Sequence, residues 1–206
     1  MDALVYIVDD DSAMVESLSW VIESIGLRAK AYASAQEFFR EYDSRQHGCL
    51  LLDVRMPGMS GPELQNKLIE LRATLPIIFI SGHGDVPLAV RVMKAGAIDF
   101  LTKPFNDQVL LESINRALRF DREYREKQQR SAQTEAKFAL LSPRESQVLK
   151  GIVSGKQNKV ISSELNISLK TVEAHRASVM KKMSARSVPE LVKLAMSNSS
   201  DNKEPA

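Results

Sequence analysis

Short apolar runs alternate with amphipathic stretches along the first 105 residues of this 206-residue chain. This alternation is typical of strands and crossover helices in a parallel sheet. The third and fourth runs are apolar almost throughout, which indicates strands covered on both faces. The predicted strands are Leu4–Val8, Leu27–Tyr32, Cys49–Asp53, Ile77–Ser81 and Ile98–Thr102.

Between the first two strands, apolar residues recur at helical spacing and Gly26 supplies a stop. The residues of this stripe are Leu18, Val21, Ile22 and Ile25. Comparable helices are predicted at 34–42, 61–72, 86–95 and from 107 onward. The result is an open α/β sandwich, in which ligands collect beyond the carboxyl ends of the strands.

The stretch 119–137 contains neither proline nor glycine, is rich in helix formers and has almost no apolar stripe. It can continue the helix that begins near Asp107, so we predict one long helix acting as a linker. The alternative is a flexible polar coil.

From residue 138 the pattern becomes entirely helical. Ser142 to Glu145 form a capping box with Pro143 at the first helical position, so a helix begins there. Helices are predicted at 143–154, 158–165, 168–183 and 188–196, and a disordered tail is expected at 197–206. The predicted division is 1–120, 121–138 as the linker, 139–197, and 198–206 as the tail.

Net charge also differs between the two parts of the chain. Residues 1–118 carry 11 basic and 16 acidic residues, a net charge of −5, whereas residues 140–206 carry 11 basic and 6 acidic residues, a net charge of +5. An acidic front and a basic back indicate different partners.

No apolar run approaches the roughly 20 residues needed to span a bilayer, and the first residues are acidic where a secretory signal is basic. A cytoplasmic protein with no membrane partner is therefore expected. Cys49 is the one cysteine and lies in an apolar run, so a buried structural thiol is predicted. His47 and His83 are interpreted as loop residues without chemistry, and Trp20 is expected to pack on its own helix.

Charged and hydroxyl side chains converge on the carboxyl edge of the predicted sheet. They follow or end the first, third, fourth and fifth strands: Asp9, Asp10, Asp11, Asp53, Ser81 and Lys103. Carboxylates placed together repel one another unless a cation neutralises them, and Mg²⁺ is the natural oxygen-bound ion. Individually, an acidic triplet is usually a solvated loop and a strand-end aspartate is usually a cap. Their joint placement indicates a site.

A carboxylate can attack a phosphoryl group and form an acyl phosphate. Such transfer depends on positioning and on neutralisation of charge, which a metal ion and Lys103 would supply. Asp53 is the candidate nucleophile because it ends a central buried strand.

The motifs Val8–Asp11, Leu52–Gly61, Ser81–Gly84 and Thr102–Phe105 resemble the receiver domain of two-component response regulators, a flavodoxin-like fold, over about residues 3–120. The resemblance implies that Asp53 accepts a phosphoryl group from the phosphohistidine of a sensor histidine kinase. It implies Mg²⁺ (or Mn²⁺) ligation by Asp9, Asp10, Asp53 and the backbone carbonyl of Arg55. Ser81 and Phe100 take the family's switch positions, and Phe100 lacks the hydroxyl of the more common tyrosine.

In the carboxyl-terminal helices, one set of residues is expected to face inward: Val160, Ile161, Leu165, Leu169, Val172, Val179 and Met183. A turn of about three residues separates two of these helices, as in a helix-turn-helix. The opposite face of the second helix presents Lys170, Thr171, Glu173, Ala174, Ala177, Ser178 and Lys181, which suit contacts with phosphates and base edges. The alternative is a plain helical bundle with a solvated face.

The blocks Leu141–Glu145, Gly155–Lys159, Ile167–Arg176 and Lys181–Met183 resemble the LuxR-type helix-turn-helix over about residues 138–197. The resemblance implies that helix 169–183 enters the major groove, with Glu173, Ala174 and Ala177 facing bases. Phosphate contacts are then expected from Asn158, Lys159, Lys170, Thr171, Arg176 and Lys181.

Together the two blocks resemble the FixJ/NarL group of response regulators, and regulators of aromatic-hydrocarbon catabolism within it. The implied function is transcription control, with activation expected. Phosphorylation would draw Ser81 toward the phosphate, reorganise the face around Phe100, and either dimerise the protein or release its DNA-binding domain. The implied partners are the kinase, promoter DNA, RNA polymerase and a second copy of the chain.

The rival from another class is an enzyme, a haloacid-dehalogenase-like phosphatase with an aspartate nucleophile. Those enzymes place an acid/base aspartate two residues after the nucleophile, where this chain has Arg55. A nucleotide-binding domain is weaker still, because no glycine-rich loop follows the first strand. A non-enzymatic regulator is therefore expected.

Overall fold

The computed structural model describes residues 3–82 and 86–201, which divide into two compact units at the junction of Arg125 and Glu126. The first unit has strands β1 to β5 and the second is helical. The strands are β1 Leu4–Val8, β2 Arg28–Tyr32, β3 Gly48–Asp53, β4 Ile77–Ser81 and β5 Asp99–Thr102. The helices are α1 Ser12–Ser24, α2 Ala35–Glu41, α3 Gly61–Glu70, α4 Val86–Lys94, α5 Asp107–Ala139, α6 Pro143–Val153, α7 Asn158–Leu165, α8 Leu169–Lys182 and α9 Val188–Asp201.

The five strands form a parallel sheet in the order β2-β1-β3-β4-β5. Every side chain of β3 and of β4 is buried, because helices cover both faces of the sheet. One apolar layer packs α2 and α3 on the sheet, and the other packs α1 and α5 on its opposite face. The predicted open α/β sandwich is confirmed, and each predicted strand is found to within one residue.

The predicted linker helix is also confirmed. Helix α5 runs without interruption for 33 residues, although its second half is polar. Leu110, Ile114 and Ala117 anchor its first half in the sheet's core. Charged helix formers continue it from there, since no proline or glycine interrupts the backbone.

The second unit has its own apolar core, built on Val148, Ile152, Ile161, Val172 and Val179 from three helices. Ser142 caps α6 by accepting from the Glu145 amide, as the capping box predicts. Asn166 adopts a left-handed conformation (φ 51°) in the three-residue turn between α7 and α8. Ser168 then caps α8 by accepting from the amide of Thr171.

Helix α9 continues to Asp201, beyond the predicted end of the last helix at 196; residues 202–206 and His83 lie outside the described residues. Three expectations are wrong. Trp20 is 72% exposed on α1 instead of packed. Val160 and Leu169 are 44% and 41% exposed instead of facing the core, and each lies in the first turn of its helix. Cys49 is buried as predicted.

No helix in the described part of the chain is long and apolar enough to cross a membrane.

The aromatic cluster around Phe38 is expected to stabilise the first unit. Phe38 is fully buried, and its ring lies 5.4 Å from the rings of Tyr6, Tyr32 and Tyr42. Replacing Phe38 by alanine should lower the free energy of unfolding by about 3–5 kcal/mol, because it leaves a cavity. Val109→Ala, at a position that is 45% exposed, should change it by no more than about 0.5 kcal/mol. Urea unfolding followed by tryptophan and tyrosine fluorescence measures both, and equal effects would contradict the prediction.

Candidate functional site

The first site lies where four neighbouring parallel strands end side by side: β1, β3, β4 and β5. Val8 of β1 pairs with Leu52 of β3, so Asp9 and Asp53 are the next residues on adjacent strands. On the other side, Ser81 ends β4 opposite Thr102, one residue before Lys103. The topology therefore places these side chains at one edge, as the sequence predicts.

Lys103 joins the two buried carboxylates of this edge. Its Nζ lies 2.9 Å from Oδ2 of Asp9 and 2.9 Å from Oδ1 of Asp53. Asp9 is 3% exposed and Asp53 is 8% exposed, so both ion pairs are largely shielded from water. Ser81 is buried beside them.

The remaining oxygens of the two carboxylates accept backbone hydrogen bonds. Oδ2 of Asp53 accepts from the Arg55 amide at 2.7 Å, and Oδ1 of Asp9 accepts from the Asp11 amide at 2.9 Å. Arg55 thus contributes its backbone, while its side chain is exposed. Each carboxylate is held from two directions, which fixes its orientation in the pocket.

Burial and hydrogen bonding have opposite effects on the pKa values of Asp53 and Lys103. Burial raises the pKa of Asp53, against the opposing effects of Lys103 and the Arg55 amide. Burial alone would lower the pKa of Lys103, but its hydrogen bonds to Asp9 and Asp53 outweigh burial and the pKa is raised. Lys103 is therefore held as an ammonium ion between two carboxylates.

The three consecutive aspartates separate into three different environments. Asp9 turns into the pocket, Asp10 is exposed, and Asp11 caps α1 by accepting from the amides of Ala13 and Met14. The predicted convergence therefore holds for Asp9 and not for Asp11, whose carboxylate is used by the helix.

The pocket's oxygen donors fit a hard divalent cation. Within residues 3–82 and 86–201, no three His, Cys, Asp or Glu side chains are gathered closely enough to hold a metal ion by themselves. Mg²⁺, however, usually keeps several waters and binds proteins through one or two carboxylates. Asp9 and Asp53 provide such a pair with one ammonium between them, so an excess negative charge remains for a cation.

Gly61 allows α3 to begin directly beneath the phosphoacceptor candidate. A Cβ at this position would lie 2.3 Å from the backbone carbonyl oxygen of Asp53, closer than any side chain can approach. The Gly61 amide also donates to the Val54 carbonyl at 3.2 Å. The glycine is thus required by the close approach of two backbone segments next to the site.

The second site is the outer face of α8. Lys170, Glu173, Ala174, Ala177 and Lys181 are exposed along it. In the part of the chain that the structure describes, the charged side chains of this face form no ion pair or hydrogen bond with the protein. Asn158 and Lys159 lie at the start of α7, and Thr171 and Arg176 are half-buried on α8. A row of unpaired polar groups on one helix is suited to an external partner.

The inner face of α8 is held by Glu145, a buried acid of α6. Its carboxylate accepts from the Ser178 hydroxyl (2.6 Å), the Lys182 ammonium (2.7 Å) and the Ser142 amide (2.7 Å). Ser178 therefore points inward, and its assignment to the outer face was wrong. The capping box identifies Glu145 from sequence, but its two partners on α8 lie more than 30 residues away and carry no local signal.

Comparison with known proteins assigns each unit to a protein family. Residues 5–115 match the family model "Response regulator receiver domain", and residues 139–195 match "Bacterial regulatory proteins, luxR family". The chain belongs to the two-component response regulators that carry a LuxR-type DNA-binding domain, and it acts as a transcription regulator.

Three relatives show how much of the chain this relationship covers. The response regulator protein TmoT of Ectopseudomonas mendocina is 49% identical over 193 residues, 94% of this chain and 88% of its own. The solved structure of the response regulator StyR is 43% identical, with a TM-score of 0.91 over 96% of this chain and all of that one. Full-length FixJ from B. japonicum is 42% identical with a TM-score of 0.60, covering 96% of this chain and 98% of that one.

The Glu145 network makes the stability of the second unit sensitive to acid. Hydrogen bonds from Lys182, Ser178 and Ser142 lower the pKa of Glu145 to about 2. Its unfolded pKa is about 4.3, so the stabilisation is fully present above that value and is lost as pH falls from about 5 toward 2.

Hydrogen exchange of the α8 amides from pH 6 to pH 3, after correction for the intrinsic rate, measures this loss. Wild-type protection should fall more steeply than that of Glu145→Gln, which is less stable at pH 6 but lacks the titrating group. Parallel pH profiles for the two proteins would contradict the prediction.

Proposed function

We propose that this protein is a phosphorylation-controlled transcription activator in which Asp53 is the phosphoacceptor. The observation that carries the proposal is the Lys103 ammonium, 2.9 Å from carboxylate oxygens of both Asp9 and Asp53 at a buried sheet edge. A sensor histidine kinase is the phosphodonor. The resemblance of the sequence motifs to receiver domains supports the same assignment.

In the transfer step, a carboxylate oxygen of Asp53 forms a bond to phosphorus as the bond from phosphorus to the kinase histidine nitrogen breaks. Lys103 stabilises the negative charge of the phosphoryl oxygens, and the Arg55 amide holds the Asp53 carboxylate in place. Mg²⁺, bound by Asp9, Asp10, Asp53 and the Arg55 carbonyl, would neutralise further charge on the phosphoryl group. Ser81, buried at the end of β4, would donate its hydroxyl to that group.

The signal then passes to the adjoining strand. Ser81 and Thr102 are paired on β4 and β5, and Phe100 lies two residues earlier on β5 at the edge of the core. Movement of Ser81 toward a phosphate would shift Phe100 and helix α4, which contacts β5 and carries the exposed apolar residues Val86, Val90 and Met93. This face pairs two subunits, and the pre-existing equilibrium shifts toward the dimer.

The DNA-reading element is α8. Two such helices in a dimer would meet adjacent major grooves. Glu173 accepts from a cytosine amino group, Ala174 and Ala177 allow close approach to bases, and Lys170 and Lys181 contact phosphates. The net charge of +5 in residues 140–206 favours the same partner. Promoter-bound dimers in the cytoplasm recruit RNA polymerase, and the resemblance to aromatic-catabolism regulators makes such an operon the target.

A phosphatase is not favoured. Catalysis by an aspartate nucleophile of that kind needs an acid/base group two residues later, and here Arg55 is exposed and contributes its amide.

The control by Asp53 is tested with a small phosphodonor and Mg²⁺. Wild type should gain both self-association in sedimentation and affinity for operator-sized DNA, whereas Asp53→Asn should gain neither. Asp107→Asn removes an exposed aspartate at the start of α5 and should behave like wild type. An equal response from Asp53→Asn would overturn the assignment of the phosphoacceptor.

The division of labour on α8 predicts two kinds of DNA-binding defect. Lys181→Ala should weaken binding to all sequences alike and reduce the slope of log affinity against log salt by about 0.9. Glu173→Ala should instead relax the preference at one base pair, by about 1–3 kcal/mol.

Lys150→Ala, an exposed lysine of α6, is the matched control for charge. Binding measured by fluorescence anisotropy across single-base operator variants and three salt concentrations distinguishes these effects. A uniform loss from Glu173→Ala would contradict its role in base readout.

A further inference from the structure

Asp121 is a buried acid in the most highly charged stretch of α5. It is 2% exposed, although the residues on either side of it, Phe120 and Arg122, are both exposed. Neither the phosphoacceptor pocket nor the DNA-reading face uses it. A buried carboxylate is costly unless it is fully paired, so its partners indicate what it does.

The carboxylate of Asp121 reaches the start of β3. Its Oδ2 accepts from the Gly48 amide at 3.1 Å and lies 3.5 Å from Nδ1 of His47. Its Oδ1 accepts from Nε of Arg125 at 2.8 Å, one helical turn later. Asp121 therefore joins α5 to the strand that ends in Asp53.

Arg125 extends this attachment to the loop that precedes β3. Its guanidinium donates to the backbone carbonyls of Ser44 (3.1 Å), Arg45 (3.4 Å) and Gln46 (2.5 Å). The Arg125 guanidinium thus donates to three consecutive backbone carbonyls of this loop, and Asp121 balances its charge. We call Asp121, Arg125 and these backbone partners the α5 clamp.

The clamp coincides with the end of the first unit. The compact unit ends at Arg125, and the side chains that follow from residue 126 to 130 are exposed. Asp121 and Arg125 therefore attach α5 to the first unit at the point where that unit ends.

A second pair on the same helix shows why burial matters. Glu126 and Arg130 have the same spacing of four residues and lie 3.2 Å apart, but their side chains are 50% and 78% exposed. The Asp121 and Arg125 side chains are 3% and 16% exposed. Exposed pairs contribute little, whereas removing one partner from a buried pair is strongly destabilising.

We propose that the α5 clamp is a positioning element that fixes the linker helix to β3, so that the change at Asp53 reaches the DNA-binding unit. Gly48 and Asp53 are the two ends of one strand, about 17 Å apart at 3.3 Å per residue. Without the clamp, the last turns of α5 on the receiver fray, and phosphorylation proceeds without moving the linker. This inference rests on the proposed function.

The test compares Asp121→Asn with Glu126→Gln, each of which removes one negative charge from a pair with the same spacing on α5. The asparagine can still accept from the Gly48 amide, but it cannot balance Arg125. Three quantities are measured on the full chain: hydrogen exchange of residues 119–130, phosphorylation by a small phosphodonor, and the ratio of DNA affinities with and without the donor.

Asp121→Asn should exchange faster in 119–130 by about tenfold or more, while the extent of phosphorylation stays at the wild-type level. Its ratio of DNA affinities should fall toward one, and Glu126→Gln should match wild type in all three measurements. Wild-type exchange and an unchanged ratio in Asp121→Asn would overturn the proposal.

Two further results distinguish a failure of this proposal from a failure of the variant to fold and from a failure of the proposed function. If Asp121→Asn does not fold, Arg125→Lys keeps the charge but loses the forked contacts to the loop, and it should show the same loss of coupling. An unchanged ratio in that variant overturns the clamp. If wild type itself shows a ratio of one, the proposed function fails, and the exchange measurement alone decides whether the clamp anchors α5.

Discussion

The first unit depends on one electrostatic constraint: two buried carboxylates share a single ammonium ion. Asp9 and Asp53 lie on adjacent strands because β1 and β3 are paired in parallel, and Lys103 follows β5, two strands away from β3. The sheet order therefore has to be this one for the three side chains to meet. Any change in the charge of Asp53 alters its balance with Lys103, which is hydrogen-bonded to both acids.

Buried acids also organise the rest of the chain. Asp121 attaches α5 to the start of β3, and Glu145 holds α6 on the inner face of α8. Each is paired with a cation and with backbone amides, which is the condition under which a buried charge is tolerated. Asp9 and Asp53 lie at the carboxyl edge of the sheet, Asp121 lies in α5, and Glu145 lies behind α8. Polar networks around buried acids thus stabilise each unit together with its apolar core.

Much of the fold could be predicted from sequence because its signals are local. The apolar runs of β3 and β4, the capping box at Ser142 and the absence of helix breakers in 119–137 each determine a nearby backbone conformation. The pocket could also be predicted, since parallel strands bring their carboxyl ends to one edge and the motifs follow those strands.

What could not be predicted depends on contacts between distant residues. One difference is local: Asp11 caps the helix that follows it, so its carboxylate does not join that of Asp9 in the pocket. Ser178 has the spacing of an outward residue, but the buried Glu145 draws it inward. The sequence around Asp121 is that of a solvated helix, and its partner Gly48 lies 73 residues earlier in the chain. The exposure of Val160 and Leu169 shows that apolar periodicity does not predict burial in the first turn of a helix.

The most direct test of whether Asp53 is the phosphoacceptor is to locate the phosphoryl group on the protein. The protein is incubated with Mg²⁺ and a small phosphodonor, the acyl phosphate is reduced with borohydride, and the modified residue is mapped by peptide mass spectrometry. If Asp53 is the phosphoacceptor, the reduced product is found at Asp53 and not at Asp9 or Asp10. Modification at another residue, or none at Asp53 under conditions that increase DNA affinity, would contradict it.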